Sequence, residues 1–325
     1  MKIVFFGTPA YVLPIFEALH KKFKVADKSP IAAVVTQPPK KVGRKQLLSY
    51  SAVDTWAHKK GVRVYYSVQK LLDDNLRADL GILESYGEIL PPQAINFFPH
   101  GIINAHPSLL PKFRGASPAQ AAILMGEKES GATIIKLDNL VDHGPIIWQF
   151  KEKVFESDNG ETLRERIFNN SVEVLINLVE PFVKGKINLK KQQEDGVIMT
   201  TRIKKEDAFI PPQALFATLK GQTFKDMWKI SFIKIGGKPY TTHYSPITIH
   251  NFVRTMTPWP GAWTYIYTER LKNEKTKRRL KILKAHLINS LTINEQKLII
   301  DVVQLEGKKP VGWEEFRRGY PNFSF

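Results

Sequence analysis

Asn104, His106 and Asp142 are the side chains of this sequence whose types and spacing best suit chemistry. Asn104 and His106 alternate within Ile103-Asn104-Ala105-His106, which reads as the end of a strand, so both side chains point to one face. An amide is a fixed donor and an imidazole titrates near neutrality. Together they can stabilise a developing oxyanion and move a proton. A solitary histidine at a strand end is ordinarily a hydrogen-bonded cap. The asparagine two residues earlier, and the loop Pro107–Ala116 that follows, favour chemistry instead. Asp142 belongs to a second cluster, Asp138-Asn139-Leu140-Val141-Asp142-His143-Gly144-Pro145, again after a candidate strand. A carboxylate beside an imidazole holds the ring and favours its charged form. Asp138 and His143 read as turn residues. A third loop, Ser85-Tyr86-Gly87-Glu88-Ile89-Leu90-Pro91, is fixed by its Gly and Pro. Its Ile89 and Leu90 could wall a pocket for a flat aromatic ligand whose polar edge meets backbone groups.

The elements that must position these residues alternate in type. Candidate strands are Lys2–Gly7, Ile31–Thr36, Val62–Tyr65, Leu80–Ser85, Gly101–His106 and Thr133–Leu137. Helical stretches at Pro9–His20, Ser51–Lys60, Lys70–Arg77 and Pro118–Met125 separate them, and Glu161–Val183 reads as one long helix. This alternation predicts an α/β fold, a Rossmann-like, mostly parallel sheet with helices on both faces. Ligands of such sheets sit at the carboxyl ends of the strands, where all three clusters fall. Gly7-Thr8-Pro9 follows the first strand but lacks the spacing of a dinucleotide fingerprint. We place a first domain at 1–188, a polar linker at 189–205 and a smaller β-rich domain, a β-barrel, at 206–325.

Composition narrows the function classes. The 325 residues suit two domains, and 43% hydrophobic with 24% charged residues suit a packed core. The absence of Cys excludes disulfide scaffolds, thiolate zinc sites and Cys nucleophiles. No apolar run approaches the roughly 18 residues of a membrane span. The opening residues are too short for a signal peptide, so a cytoplasmic protein without a membrane partner is expected, as a monomer. The formal charge is +17, and residues 201–325 hold 22 Lys and Arg against 10 Asp and Glu. A basic region of this size suits a polyanion, most commonly nucleic acid. Thr36–Leu48 adds Lys40, Lys41, Arg44 and Lys45 around Gly43, directly after a strand, where cations suit phosphate contacts or simply a solvated run. Lys272–Lys284 is a second basic run.

Taken together, the motifs resemble the methionyl-tRNA formyltransferases, within the formyltransferases that use 10-formyltetrahydrofolate. The resemblance rests on Asn104-x-His106-x-Ser108-Leu109-Leu110-Pro111, Arg114-Gly115-Ala116 and Asp142-x-Gly144 in that order. Gly7-Thr8-Pro9, Thr36-Gln37-Pro38 and Tyr86-Gly87-x-Ile89-Leu90-Pro91 fall where that family has them. The match runs through the first 205 residues and resumes at Arg254-x-x-x-Pro258-Trp259-Pro260-Gly261-Ala262-Trp263. It implies formyl transfer from N10 of the folate to the α-amino group of methionyl initiator tRNA, for translation initiation. Asn104, His106 and Asp142 are then the catalytic residues. Ser108, Leu109, Leu110, Pro111, Tyr86, Gly87, Ile89 and Leu90 line the folate site. Lys40, Lys41, Arg44 and Lys45 meet the tRNA, the second domain is an OB-like tRNA-binding barrel, and no metal is called for.

The sequence departs from the family pattern at several points. Leu140 stands where Gly is usual, His143 where Thr or Ser is usual, Ser85 in place of Ala, and Lys45 in place of Gly. The stretch 211–250 is longer than the family's connection and is expected to be an extra hairpin or a helix with a strand. Two other readings stay open: a related formyltransferase acting on a sugar-nucleotide or purine-precursor amine, and a non-catalytic RNA-binding protein.

Overall fold

The computed structural model describes residues 1–25, 28–43, 45–269, 275–289 and 296–325. The chain forms two compact units, each assembled from three stretches. One comprises Met1–Arg114, Gly131–Glu152 and Arg164–Gly196; the other comprises Gly115–Ser130, Lys153–Leu163 and Val197–Phe325. Up to residue 196 the elements are β1 (Ile3–Gly7), α1 (Leu13–Phe23), β2 (Ile31–Val35), β3 (Lys40–Val42), β4 (Leu47–Ser49), α2 (Ala52–Lys59), β5 (Arg63–Tyr65), α3 (Val68–Asp73), β6 (Leu80–Glu84), α4 (Pro92–Ile95), β7 (Ile102–His106), β8 (Arg114–Gly115), α5 (Pro118–Leu124), β9 (Glu129–Lys136), β10 (Ile146–Lys153) and α6 (Gly160–Val183).

The first unit is built on a seven-stranded sheet in the order β10-β9-β7-β6-β1-β2-β5. β1 pairs in parallel with β2 and β6, β2 with β5, and β6 with β7. β9 runs antiparallel to β7, so the strand expected at Thr133–Leu137 is longer and reversed in direction. Covered on both faces, β1 reads as an unbroken apolar run, and all five of its residues are buried. Phe5, Ile82, Ile103 and Ala105 face a core completed by Phe16 of α1, Trp56 of α2 and Phe168 of α6. Phe6, Val35 and Ile102 face a second core with Leu71 of α3 and Ile95 of α4. The helix expected at Pro9–His20 opens as a 3-10 turn over Ala10–Val12 and becomes α-helical from Leu13, with Pro14 in the first turn where a missing N–H costs nothing. α3 starts earlier than expected because the Ser67 hydroxyl accepts from the Lys70 amide as an N-cap. Chain order reverses around β1, which places a crevice at the carboxyl ends of β1 and β6.

The second unit adds β11 (Ile198–Thr200), α7 (Pro212–Leu219), β12 (Phe224–Ile235), β13 (Lys238–Tyr244), α8 (Pro246–Met256), β14 (Ala262–Glu269), β15 (Lys275–Asn289), β16 (Gln296–Leu305), β17 (Val311–Gly312) and α9 (Trp313–Gly319). Its strands form two four-stranded sheets, β13-β12-β11-β8 and β14-β15-β16-β17. Every pairing from β14 to β17 is antiparallel. The stretch 211–250 holds α7 followed by a long hairpin, β12–β13. Gly236 and Gly237 turn it with φ of 56° and 78°, the pair of positive values a two-residue hairpin turn needs. Trp228 and Tyr244 stack across that hairpin at 4.4 Å, and Phe252 of α8 closes on Trp228 at 4.3 Å. Among the described residues no helix is long and apolar enough to cross a membrane.

Candidate active site

β7 delivers Asn104 and His106 from the middle of the sheet, paired on one side to β6 and on the other to β9. Because side chains alternate, Ile103 and Ala105 enter one core while Asn104 and His106 share the opposite face; both are nearly buried. Asp142 reaches the same place from the loop after β9. Its Oδ1 lies 3.5 Å from Asn104 Nδ2 and its Oδ2 lies 3.4 Å from His106 Nδ1. The three side chains singled out from the sequence therefore meet at one point.

The protons on His106 follow from its partners. Nε2 lies 2.8 Å from the Phe113 carbonyl, and a carbonyl only accepts, so Nε2 carries a hydrogen and donates it. The remaining nitrogen, Nδ1, faces Asp142. Asp142 itself sits in the left-handed region at φ 49°. Gln192 fixes that turn: its Nε2 donates to the carbonyls of Asp142 and Gly144 at 2.9 and 2.8 Å. Gly144 is required by close approach, since a Cβ there would lie 1.8 Å from the Lys136 carbonyl oxygen. Nothing in the sequence flagged Gln192, which lies in the stretch expected to be a linker.

A second network braces the loop. His143 places Nδ1 2.6 Å from Asp138 Oδ2 and Nε2 3.1 Å from Glu194 Oε1. Arg114 donates through Nε and Nη2 to Gln192 and through Nη2 to Glu194. The Arg114 guanidinium, above all, holds the Glu194 carboxyl below its ordinary range.

The residues expected to line a folate site divide. Ser108 uses its hydroxyl to close a turn on the Lys112 carbonyl at 2.7 Å. The Ser108–Pro111 segment is pinned from β9 and β10, where Thr133 Oγ1 donates to the Ser108 carbonyl and accepts from the Leu110 amide, and Gln149 donates to the Leu110 carbonyl. Leu110 is buried, while Leu109 and Pro111 are half-buried. After β6, Tyr86 is buried, and burial first, then Glu88, pushes its hydroxyl up to about 12. Thr8 Oγ1 donates to the Tyr86 carbonyl at 3.1 Å, tying the turn after β1 to the turn after β6. Gly87 takes φ 97°. Leu90 packs into the core, whereas Ile89 is 83% exposed, as are the apolar neighbours of Asp142, Leu140 at 62% and Val141 at 42%.

The basic stretch is not an open loop. Lys40–Val42 and Leu47–Ser49 pair antiparallel as a small hairpin, and Lys40, Lys41 and Lys45 are exposed. Arg44 lies outside the described residues, as does Lys272 of the second basic run. Among the described residues there is no group of three or more His, Asp or Glu placed to hold a metal ion.

Comparison with known proteins identifies the family of the chain. Residues 1–179 match the formyl transferase family, and residues 244–321 match the formyl transferase C-terminal domain. The chain belongs to the formyl transferase family. It is thus a formyl-transferring enzyme, with a matching region in each part of the chain. It is 32% identical to the methionyl-tRNA formyltransferase of Thermodesulfovibrio yellowstonii over 332 residues, covering 98% of this chain and 95% of the relative. The methionyl-tRNA formyltransferase of Pelagibacter ubique is 31% identical, again with 98% and 95% covered. Two solved structures share the fold at lower identity. The N-formyltransferase from Helicobacter canadensis, in complex with folinic acid and dTDP-3-aminofucose, superposes with a TM-score of 0.62 at 18% identity over 96% of this chain and 98% of that one. The methionyl-tRNA formyltransferase from Clostridium thermocellum does so with a TM-score of 0.52 at 17% identity over 94% and 98%.

Proposed function

We propose that this formyltransferase moves a formyl group from 10-formyltetrahydrofolate to the α-amino group of methionyl initiator tRNA, serving translation initiation. The observation that carries the reaction is the meeting of Asn104, His106 and Asp142 around one point at the carboxyl edge of the sheet. Full-length similarity to methionyl-tRNA formyltransferases supports the choice of amine. The apolar side chains exposed beside Asp142 and after β6, Leu140, Val141 and Ile89, suit a flat aromatic donor such as a folate.

The unprotonated amine attacks the formyl carbon, and a new C–N bond forms as the carbonyl oxygen becomes an oxyanion. Asn104 Nδ2 supplies one donor to that oxygen, and His106 Nδ1 a second when protonated. Asp142 holds the charged ring and accepts, directly or through one water, the proton that the attacking nitrogen loses. The bond to N10 then breaks, and N10 takes up a proton. Exposed Lys40, Lys41 and Lys45, on the hairpin after β2, suit contacts to tRNA phosphates, with Arg44 between them in sequence. The deciding assay supplies 10-formyltetrahydrofolate with methionyl initiator tRNA, uncharged initiator tRNA or a sugar-nucleotide amine in parallel. Formylation confined to the charged tRNA is expected. Preferred formylation of the sugar-nucleotide amine overturns the reading.

A further inference from the structure

The β6–β7 ladder ends at Leu83 opposite Asn104, and one residue beyond the end of β6, Ser85 swings away with φ 50°. The next amide of β7 on that side belongs to Ala105, the residue between Asn104 and His106. That amide, which the ladder register also sets against the Leu83 carbonyl, reaches a side chain: Ala105 donates to Glu84 Oε1 at 2.9 Å. Glu84 is wholly buried, and its Oε2 has no hydrogen-bond partner among the described residues. A carboxylate that accepted a single bond in such a place would carry a large uncompensated desolvation cost.

Among the described residues no charged group is set against it. β1, paired to β6 on the other side, brings Ile3–Gly7 and no titratable group. β7 brings only His106, whose two nitrogens face Phe113 and Asp142. The turn after β6 brings Tyr86 and Glu88. Burial pushes the Glu84 carboxyl well above its ordinary value, and the Ala105 amide alone pulls the other way. Oε1 is the oxygen that accepts from Ala105.

We propose that Glu84 is a positioning residue for formyl transfer, its buried side chain clamping the Ala105 amide so that Asn104 and His106 hold their bearing on Asp142. The inference rests on the reading of those three residues given above. A displaced Ala105 backbone moves both neighbours together, and displacements of about 1 Å at a reacting centre cost up to about a hundredfold in rate.

The test compares Glu84→Gln, Glu84→Leu and His106→Ala, each first shown to be folded by thermal melting. kcat and KM for methionyl-tRNA are then measured at neutral pH. Glutamine keeps an acceptor oxygen for the Ala105 amide, and leucine removes it. Glu84→Gln should hold both kcat and KM within about threefold of the unmodified protein. Glu84→Leu should lower kcat by roughly tenfold or more with little change in KM, as for loss of one buried hydrogen bond and its alignment. Unchanged kcat in Glu84→Leu, or a Glu84→Gln variant as slow as Glu84→Leu, overturns the proposal. If Glu84→Leu does not fold, Glu84→Gln decides alone: a loss of kcat of about tenfold or more at unchanged KM, with the acceptor oxygen retained, overturns the proposal. Full activity in His106→Ala instead removes the reaction centre on which the clamp would act, a failure distinct from that of Glu84.

Discussion

Asp142 and His106 should behave as one catalytic unit, and a double-mutant cycle measures this. Their charged forms lie 3.4 Å apart, with side chains 16% and 5% exposed. At an effective dielectric constant of about 20, an ion pair at that distance is worth about 5 kcal/mol. Since each 1.4 kcal/mol is tenfold in rate, this sets a ceiling of between about three and four orders of magnitude for loss of the pair. Asp142→Asn removes the charge while keeping the shape, so the chemical step should slow by about 100- to 1,000-fold. His106→Ala deletes both the donor and the group that Asp142 holds, with a loss of similar size. The double variant should be no slower than the slower single, because neither side chain keeps its role without the other. The assay is single-turnover formyl transfer to methionyl-tRNA by rapid quench, with enzyme and folate donor in excess, so that product release does not enter the rate. A loss of less than about threefold in Asp142→Asn refutes the electrostatic argument. Losses that multiply in the double variant refute the single unit.

Three further outcomes are expected. Neutralising Lys40, Lys41 and Lys45 should weaken tRNA binding and flatten its dependence on salt by up to about one unit of log–log slope per lost phosphate contact, leaving folate affinity unchanged; equal loss of both would count against the hairpin's role. Gly144→Ala drives a methyl group to 1.8 Å from the Lys136 carbonyl oxygen, so it should destabilise the fold by about 1–3 kcal/mol in denaturant titrations and lower kcat by displacing Asp142. His250 is pushed down to about 4, by burial first and by Arg254 next. Folded protein thus binds fewer protons than unfolded chain between the ordinary histidine value and about 4, and stability should fall as pH drops through that window; thermal melts that show the same acid loss in His250→Gln would refute this.

How far the site could be read in advance depended on whether its signals were local. Asn104 and His106 were legible because a two-residue period on an apolar strand fixes which side chains share a face. Asp142 was legible as a carboxylate near a turn, but its left-handed backbone was not, since nothing in Leu140-Val141-Asp142 asks for φ 49°. Gln192 gave no signal at all: it is one glutamine in a polar stretch, and its role comes from carbonyls 48 and 50 residues away. The Lys40–Val42 strand was hidden for a different reason. Three residues with no buried face carry no alternation to detect, and pairing with Leu47–Ser49 is what makes them a strand. Glu84 was passed over because a glutamate ending an apolar strand reads as the place where the chain meets water, and here the side chain folds back into the sheet.

The same distinction explains why the departures at Leu140 and His143 leave Asp142 in place. Gln192 grips this loop through backbone carbonyls, of Asp142 and Gly144, which every residue type supplies. Leu140 therefore changes what the loop exposes rather than where it runs, and it adds apolar surface beside the reacting groups. His143 does change the contacts, yet it arrives with partners for both ring nitrogens, Asp138 and Glu194, and Glu194 in turn engages Arg114. A hydroxyl at position 143 is too short to span two carboxylates that a ring bridges at 2.6 and 3.1 Å. The substitution thus ties the loop to the 192–194 segment a second time, so the carboxylate that faces His106 is held from both sides of Asp142.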